Sequence, residues 1–238
     1  MRQIKPRKRK LVAITGASSG IGKELVNRVL HDGFHVLSIG RRAPAAALNA
    51  KHVTHITADF EKPRYQDAVL SWLADSGSDY DWLGFVHCAG TASMRRLVSM
   101  KYSEIQTDIS VNLTSALVLS SILAPYLAKR GGRLIYLGSR ARRFAFSGGS
   151  AYCASKAGLF SLTDCLALEF RELRWPISVT IFEFGTVGTQ FAGTPIDSKQ
   201  LSAFGAASEI FSHLISPQSD YDKRVIEIVP SIQRLICE

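Results

Sequence analysis

"LVAITGASSGIGKELV", residues 11–26, decides how the chain is read. An apolar run meets three glycines and passes straight into a helical pattern. "KLVAIT" has the unbroken apolar character of a buried strand, and "GKELVNRVLHDG" reads as a helix with Gly33 just past its end. Glycine is costly in regular structure, so Gly16, Gly20 and Gly22 each need a reason. A helix N-terminus presents unpaired backbone N–H groups and a partial positive charge. A diphosphate can sit there only where no side chain covers the backbone. On this reading Gly16 makes the turn, Gly20 lets the chain approach the ligand, and Gly22 lets the helix pack close to the sheet. Ser18 and Ser19 add hydroxyl donors, and Ile21 completes the binding stretch. Tight packing alone can also demand glycine, so the turn needs support from the rest of the chain.

Outward from this stretch the pattern alternates. "FHVLSIG", "VTHITADF", "WLGFVHCAG", "RLIYLGS", "ISVTIFEFG" and "KRVIEIVP" read as strands. Between them "RYQDAVLSWLAD", "SEIQTDISVNLTSALVLSSILAPYLAKRGG", "SAYCASKAGLFSLTDCLALEFRE" and "AASEIFSHLI" carry helical spacing. Strands alternating with helices predict an α/β fold: a doubly wound parallel sheet of about six or seven strands, with helices on both faces.

The 238 residues are 46% hydrophobic and 21% charged, which suits one α/β domain over residues 11–238 and argues against long disorder. The net charge is +9, and Arg2, Lys5, Arg7, Lys8, Arg9 and Lys10 supply six of those charges in a basic tail, residues 1–10. The tail is read as a solvated terminus rather than a nucleic-acid or membrane anchor. "LVAI" is too short for the apolar region of a secretory signal, and no stretch approaches the ~18 apolar residues of a membrane span. Cys88, Cys153, Cys165 and Cys237 form no C-x-x-C pair and no zinc-ligand spacing, so no metal is expected. Reduced thiols in a cytoplasmic protein are expected instead, with Cys153 a small packing residue.

The phosphate loop reads T-G-x-x-x-G-x-G, and further motifs follow it in order. "HCAG" spans 87–90, Asn112 lies in "VNLTSA", and Ser139 ends "YLGS". "YCASK" carries Tyr152 and Lys156, 13 and 17 residues after Ser139, and "FGTVGT" spans 184–189. This ordered set resembles the short-chain dehydrogenase/reductase family along nearly the whole chain. The family's N-N-A-G stands here as "HCAG", with His87 and Cys88 for both asparagines, and Phe184 replaces the proline of its P-G-x-V-x-T.

The resemblance implies a Rossmann-like oxidoreductase with Asn112, Ser139, Tyr152 and Lys156 as catalytic residues. Hydride transfer to a carbonyl leaves charge on an oxygen that needs a proton, and Tyr152 can supply it. A free phenol has a pKa near ~10, and Lys156, one helical turn on, is expected to lower it. By resemblance Lys156 also holds the nicotinamide ribose. Ser139 orients the substrate oxygen, and Asn112 holds a relay water. Each residue alone has a plainer reading: a surface pair, a turn serine, a core amide.

At the end of the second strand an NAD-preferring enzyme carries an acid for the 2′-hydroxyl. Here Gly40 takes that place, followed by Arg41 and Arg42, which favours NADP(H), with Arg41 the first candidate. Asp59 and Phe60 match the adenine contact, Ala89 and Gly90 line the cofactor, and Gly185, Val187 and Thr189 lie beside nicotinamide. Residues 190–204 fit the family's substrate lid. Arg140, Arg142 and Arg143 could favour an anionic substrate, or face solvent or a second subunit. A small carbonyl or alcohol substrate and a homodimer or homotetramer are expected. A dehydratase or epimerase on the same fold, and a nucleotide-binding regulatory protein, stay open as alternatives.

Overall fold

A computed structural model describes residues 8–48, 51–189, 191, 200–217 and 224–229. Seven parallel strands form the main sheet in the order β3-β2-β1-β4-β5-β6-β9. They are β1 (Arg9–Thr15), β2 (His35–Gly40), β3 (Val53–Thr57), β4 (Tyr80–His87), β5 (Gly132–Leu137), β6 (Ile177–Phe184) and β9 (Arg224–Ile228). The crossover helices are α1 (Gly20–His31), α2 (Gln66–Ser76), α3 (Tyr102–Ile109), α4 (Ser115–Leu127), α5 (Ser150–Glu172) and α6 (Ala203–Ile215).

Strand alternation divides the core. Leu11 and Ala13 of β1 face one side with Leu119, Leu123 and Leu159. Val12 and Ile14 face the other with Leu25, Val29 and Ile210. Both faces are therefore covered, which is why the strands read as continuous apolar runs. Strand order reverses between β1 and β4, and this opens a crevice beyond their C-terminal ends. Thr15 lies opposite His87, and His87 opposite Tyr136, so three strand ends meet that crevice in step.

Four local features differ from the sequence expectation. First, β1 begins at Arg9, so Arg9 and Lys10 belong to the sheet, opposite Tyr80 and Asp81, and not to the tail. Charged residues can open a strand when its neighbour offers backbone partners. Second, the long helix is interrupted: a π turn at Ser110–Thr114 separates α3 from α4. Third, that combined segment, Tyr102–Leu127, is long and apolar enough by composition to cross a membrane. Counting consecutive apolar residues missed this because Asp108 and Asn112 break the run. Its apolar side is packed on the sheet through Ala116, Leu119, Leu123 and Leu127. Fourth, a small parallel pair joins β7 (Val187–Gly188) to β8 (Leu201–Ser202), strands too short to leave a periodic signal. Residues 1–7 of the tail, most of the expected lid (190 and 192–199) and Cys237 lie outside the described residues.

Gly16 has φ +64°, and a Cβ there would lie 2.8 Å from the Ala89 nitrogen. A Cβ at Gly22 would lie 2.3 Å from the Gly16 carbonyl oxygen. Helix α1 thus packs on the turn itself. Gly22→Ala should cost about 1–3 kcal/mol through overpacking, whereas Gly40→Ala, with nothing within 4 Å of its Cβ position, should leave stability within about 0.5 kcal/mol. Urea unfolding of the two variants beside the parent checks the contrast.

Candidate active site

A cavity of about 1110 Å³ opens at the strand-order reversal. One end is the α1 N-terminus, where Gly16, Ser18, Ser19, Gly20, Ile21 and Gly22 line the wall. Ser19 is the N-cap residue in extended conformation, and its side chain makes no bond to the helix. The cap leaves the first-turn amides to an incoming anion. Gly20 has φ +53°, and a Cβ there would meet Thr189 Cγ2 at 3.3 Å. The 187–189 segment therefore closes over the loop. Ala89 N–H donates to Thr15 Oγ1 at 3.0 Å, which holds the exit of β4 against that of β1.

The expected catalytic groups meet at the other end. Ser139, Tyr152 and Lys156 all line the cavity. Tyr152 and Lys156 stand one turn apart on α5, and Ser139 follows β5 in extended conformation, its Oγ accepting from Ala141 N–H at 3.1 Å. The Lys156 ammonium donates to the Leu137 carbonyl at 2.8 Å and lies 5.8 Å from the Tyr152 ring centroid. Burial pulls Lys156 down to about 8. Burial also raises the Tyr152 phenol above its ordinary range, against the Ser139 hydroxyl, which favours its ionised form. Desolvation of the phenol dominates, and the Lys156 ammonium is turned to Leu137 instead.

Asn112 does not reach the cavity wall. It is fully buried in the π turn, with both amide protons and its carbonyl oxygen engaged. Oδ1 accepts from Thr91 N–H at 2.8 Å, and Nδ2 donates to the Thr91 carbonyl and to Ser155 Oγ, each at 2.9 Å. Ser155 Oγ in turn donates to the Tyr152 carbonyl at 2.7 Å. Four residues earlier Asp108, also buried, accepts from Ser93 N–H at 3.0 Å and from Ser93 Oγ at 3.1 Å. The segment 91–93 is therefore fixed by two polar side chains of one apolar helix. Asp108, Ser93 and Ser155 escaped the sequence reading. The i, i+4 spacing of Asp108 and Asn112 was the signal available.

His87 takes over the bracing that its position requires. Its Nε2 lies 2.7 Å from Ser115 Oγ, and that hydroxyl donates to the Val111 carbonyl. His87 must therefore be the donor, with its proton on Nε2. Burial, helped by Lys156, lowers it to about 3, so it is neutral. Burial also pushes the Cys88 thiol up to about 12, which removes it as a nucleophile. Phe184, in place of the family proline, stacks on Phe182 with centroids 5.6 Å apart, and Gly185 N–H donates to the Ile228 carbonyl at 2.8 Å. The 184–189 turn is held by β9, with Gly185, Val187 and Thr189 on the cavity wall, as are Ala89 and Gly90.

The adenosine end differs from expectation in detail. Arg42 lines the cavity and Arg41 does not. Arg41 pairs with Glu61 at 3.2 Å, and Thr107 Oγ1 donates to the other oxygen of Glu61 at 2.6 Å. Asp59 shapes the same turn by accepting from Glu61 N–H at 3.2 Å. Phe60 is buried against the Tyr65 ring, centroids 5.1 Å apart. Neither Asp59 nor Phe60 reaches the wall.

Arg140, Arg142 and Arg143 are each paired with a carboxylate, and Arg143 is also exposed to solvent. Arg142 bonds Glu183, Arg143 bonds Glu183 at 2.9 Å and Glu227 at 2.8 Å, and Arg140 lies 3.2 Å from Glu227. Glu183 of β6 and Glu227 of β9 are register partners in the sheet. Two adjacent carboxylates thus hold three guanidinium groups.

The short chain dehydrogenase family model matches residues 10–199. Among characterised relatives, benzil reductase ((S)-benzoin forming) of Bacillus cereus is 27% identical over 192 residues, 75% of this chain and 76% of that one. Among solved structures, 4-hydroxyisoleucine dehydrogenase complexed with NADH superposes with a TM-score of 0.82 at 20% identity, covering 94% of this chain and 99% of that one. The closed form of serine dehydrogenase complexed with NADP+ gives 0.80 at 20% identity, covering 92% and 94%.

Buried neutral histidines set an acid limit on stability. His35 and His213 are lowered to about 4 and His87 to about 3, mainly by burial. Below pH ~6.5 the unfolded chain binds protons on these rings that the folded chain refuses, so stability falls as pH drops through this window. His87→Asn should make that fall shallower between pH 6.5 and 4, read from urea midpoints at a series of pH values.

Proposed function

The chain belongs to the short-chain dehydrogenase family, and on that premise we propose that it is an NADP(H)-dependent oxidoreductase acting on a small carbonyl compound or its alcohol. The observation that carries the proposal is one cavity with an anion-binding helix end at one side and Ser139, Tyr152 and Lys156 at the other. The residues present fit a dinucleotide. The backbone is bare at Gly16 and Gly20, and at Gly90 a Cβ would come 3.4 Å from Asn112 Oδ1 and 3.8 Å from Lys156 Nζ.

When bound, the nicotinamide supplies or accepts the hydride. Ser139 Oγ holds the substrate oxygen, and the Tyr152 hydroxyl donates its proton to that oxygen as charge develops there. A raised phenol pKa keeps Tyr152 protonated and ready to donate in the reducing direction. Lys156, with a pKa of about 8, changes charge near neutral pH, which suits it to resupply the proton as well as to hold ribose hydroxyls. Asn112 acts as a positioning residue, because its amide already ties Thr91 to α5.

The preference for NADP(H) rests on Gly40 in place of an acid and on two guanidinium groups, Arg42 on the wall and Arg41 at its rim. A 2′-phosphate would compete with Glu61 for Arg41. The fold neighbours do not decide between the two cofactors, since one was solved with NADP+ and another with NADH. We further read residues 11–238 as one domain of a cytoplasmic homo-oligomer. Exposed Leu117 of α4 and Leu168 of α5 support a subunit face along those helices.

Fluorescence titration should show NADPH binding more tightly than NADH. The Arg41→Ala, Arg42→Ala double variant should lose about ten-fold or more of the NADPH affinity, as removal of a charge-assisted contact predicts. Tyr152→Phe should retain NADPH binding and lose at least ~10²-fold in turnover. Near-parental turnover in that variant would overturn the mechanism and return the weight to a dehydratase or epimerase.

A further inference from the structure

We propose that the substrate end of the cavity takes an uncharged aryl ketone, or the corresponding alcohol, and discriminates against carboxylate-bearing substrates of the same size. The inference rests on the oxidoreductase reading above and names its substrate class.

Three phenylalanines line this end, Phe144 and Phe146 from the loop before α5 and Phe191 from beyond β7, and all are substantially exposed, at 50%, 45% and 37%. Each is held in place independently. Phe144 lies under the Arg140 and Arg143 guanidinium groups, 4.9 and 5.8 Å from its centroid. Phe146 lies flat on Gly149, where a Cβ would come within 2.5 Å of its ring, at the N-cap of the helix that carries Tyr152. Phe191 stands 5.8 Å from the Tyr152 ring and 3.7 Å from the Cβ position of Gly90. Phe191 thus stands beside the ring of Tyr152, and Phe144 and Phe146 share the cavity wall with it. Exposed aromatic surface gathered on a concave wall is what an aryl group would bury, by ring stacking and loss of water.

Charge points the same way. Taken from the sequence alone, the arginines after Ser139 suggest an anion site. In the fold each is already held by a carboxylate: Arg142 by Glu183, Arg143 by Glu183 and Glu227, and Arg140 by Glu227. Arg140 is the member of this set with a side chain on the wall beside Ser139. A substrate carboxylate would exchange its water shell for a guanidinium whose charge Glu227, 3.2 Å from Arg140 Nε, already offsets, and would meet the repulsion of that carboxylate. A neutral carbonyl needs no such exchange and can use the Ser139 and Tyr152 hydroxyls directly.

The test uses the full chain with NADPH and three carbonyls: acetophenone, phenylglyoxylate and acetone. Acetophenone should give a kcat/KM at least about ten-fold above each of the others, as burial of one ring predicts. Phe146→Ala and Phe191→Ala should each narrow the acetophenone-over-acetone preference, and together should abolish saturation transfer from the NADPH-bound protein to the acetophenone ring protons in NMR. Glu227→Gln should raise phenylglyoxylate turnover several-fold by loosening Arg140. Phenylglyoxylate or acetone matching acetophenone, or no saturation transfer in the parent protein, overturns the substrate class while leaving the oxidoreductase reading in place. Failure of every carbonyl to oxidise NADPH or NADH, in protein shown by fluorescence to bind them, overturns that reading and this inference together.

Discussion

The approach of the Gly16 turn to the Cys88–Ala89 backbone underlies the rest of the site. There is room for one hydrogen at this contact and none for a methyl, because a Cβ would stand 2.8 Å from two backbone atoms. The Thr15–Ala89 hydrogen bond closes the same junction. Once β1 and β4 leave the sheet this close together, α1 points its N-terminus into the crevice. The chain after β4 then runs past it as the floor of the cavity. Gly22 repeats the constraint from the helix side, packed on the Gly16 carbonyl.

That floor is held from below by polar groups inside an apolar helix. Asp108 and Asn112 spend their hydrogen-bonding capacity on Ser93, Thr91 and Ser155. The π turn that carries Asn112 sits where the helix would otherwise continue from α3 into α4. Buried polar groups fully paired in this way define one arrangement, since any shift of the 91–93 segment would strand several of them at once. His87 and Ser115 add a brace of the same kind. Through Ser155 the network reaches the backbone of Tyr152.

Burial sets the electrostatics of the site more than charge pairing does. It raises Tyr152, lowers Lys156 to about 8, and silences Cys88 and His87. The carboxylates of Glu183 and Glu227 perform the opposite service for the arginines after Ser139. They tie the loop that follows Ser139 to β6 and β9 and offset its guanidinium charge.

Much of this was legible in the chain before folding. Apolar runs alternating with helical patterns determine a parallel sheet, because strands covered on both faces cannot alternate polar and apolar residues. The glycines at 16, 20 and 22 mark the turn into α1, because backbone contact at 16 and 22 and a positive φ at 16 and 20 disfavour other residue types. Tyr152 and Lys156 are paired by helical geometry alone. What needed the tertiary structure were partners distant in sequence. Arg41 looked free until β2 and the turn after β3 brought Glu61 to it. The arginines at 140, 142 and 143 could be read as an anion site or as facing solvent or a second subunit, until β6 and β9 placed two carboxylates beside them. Asn112 showed none of its partners in the sequence until packing brought Thr91 and Ser155 to its amide. A residue's type states which bonds it can make, and local spacing states which neighbours share its helix or strand. Which bonds are already taken is decided only when separate elements pack, and that determines which groups remain for a ligand.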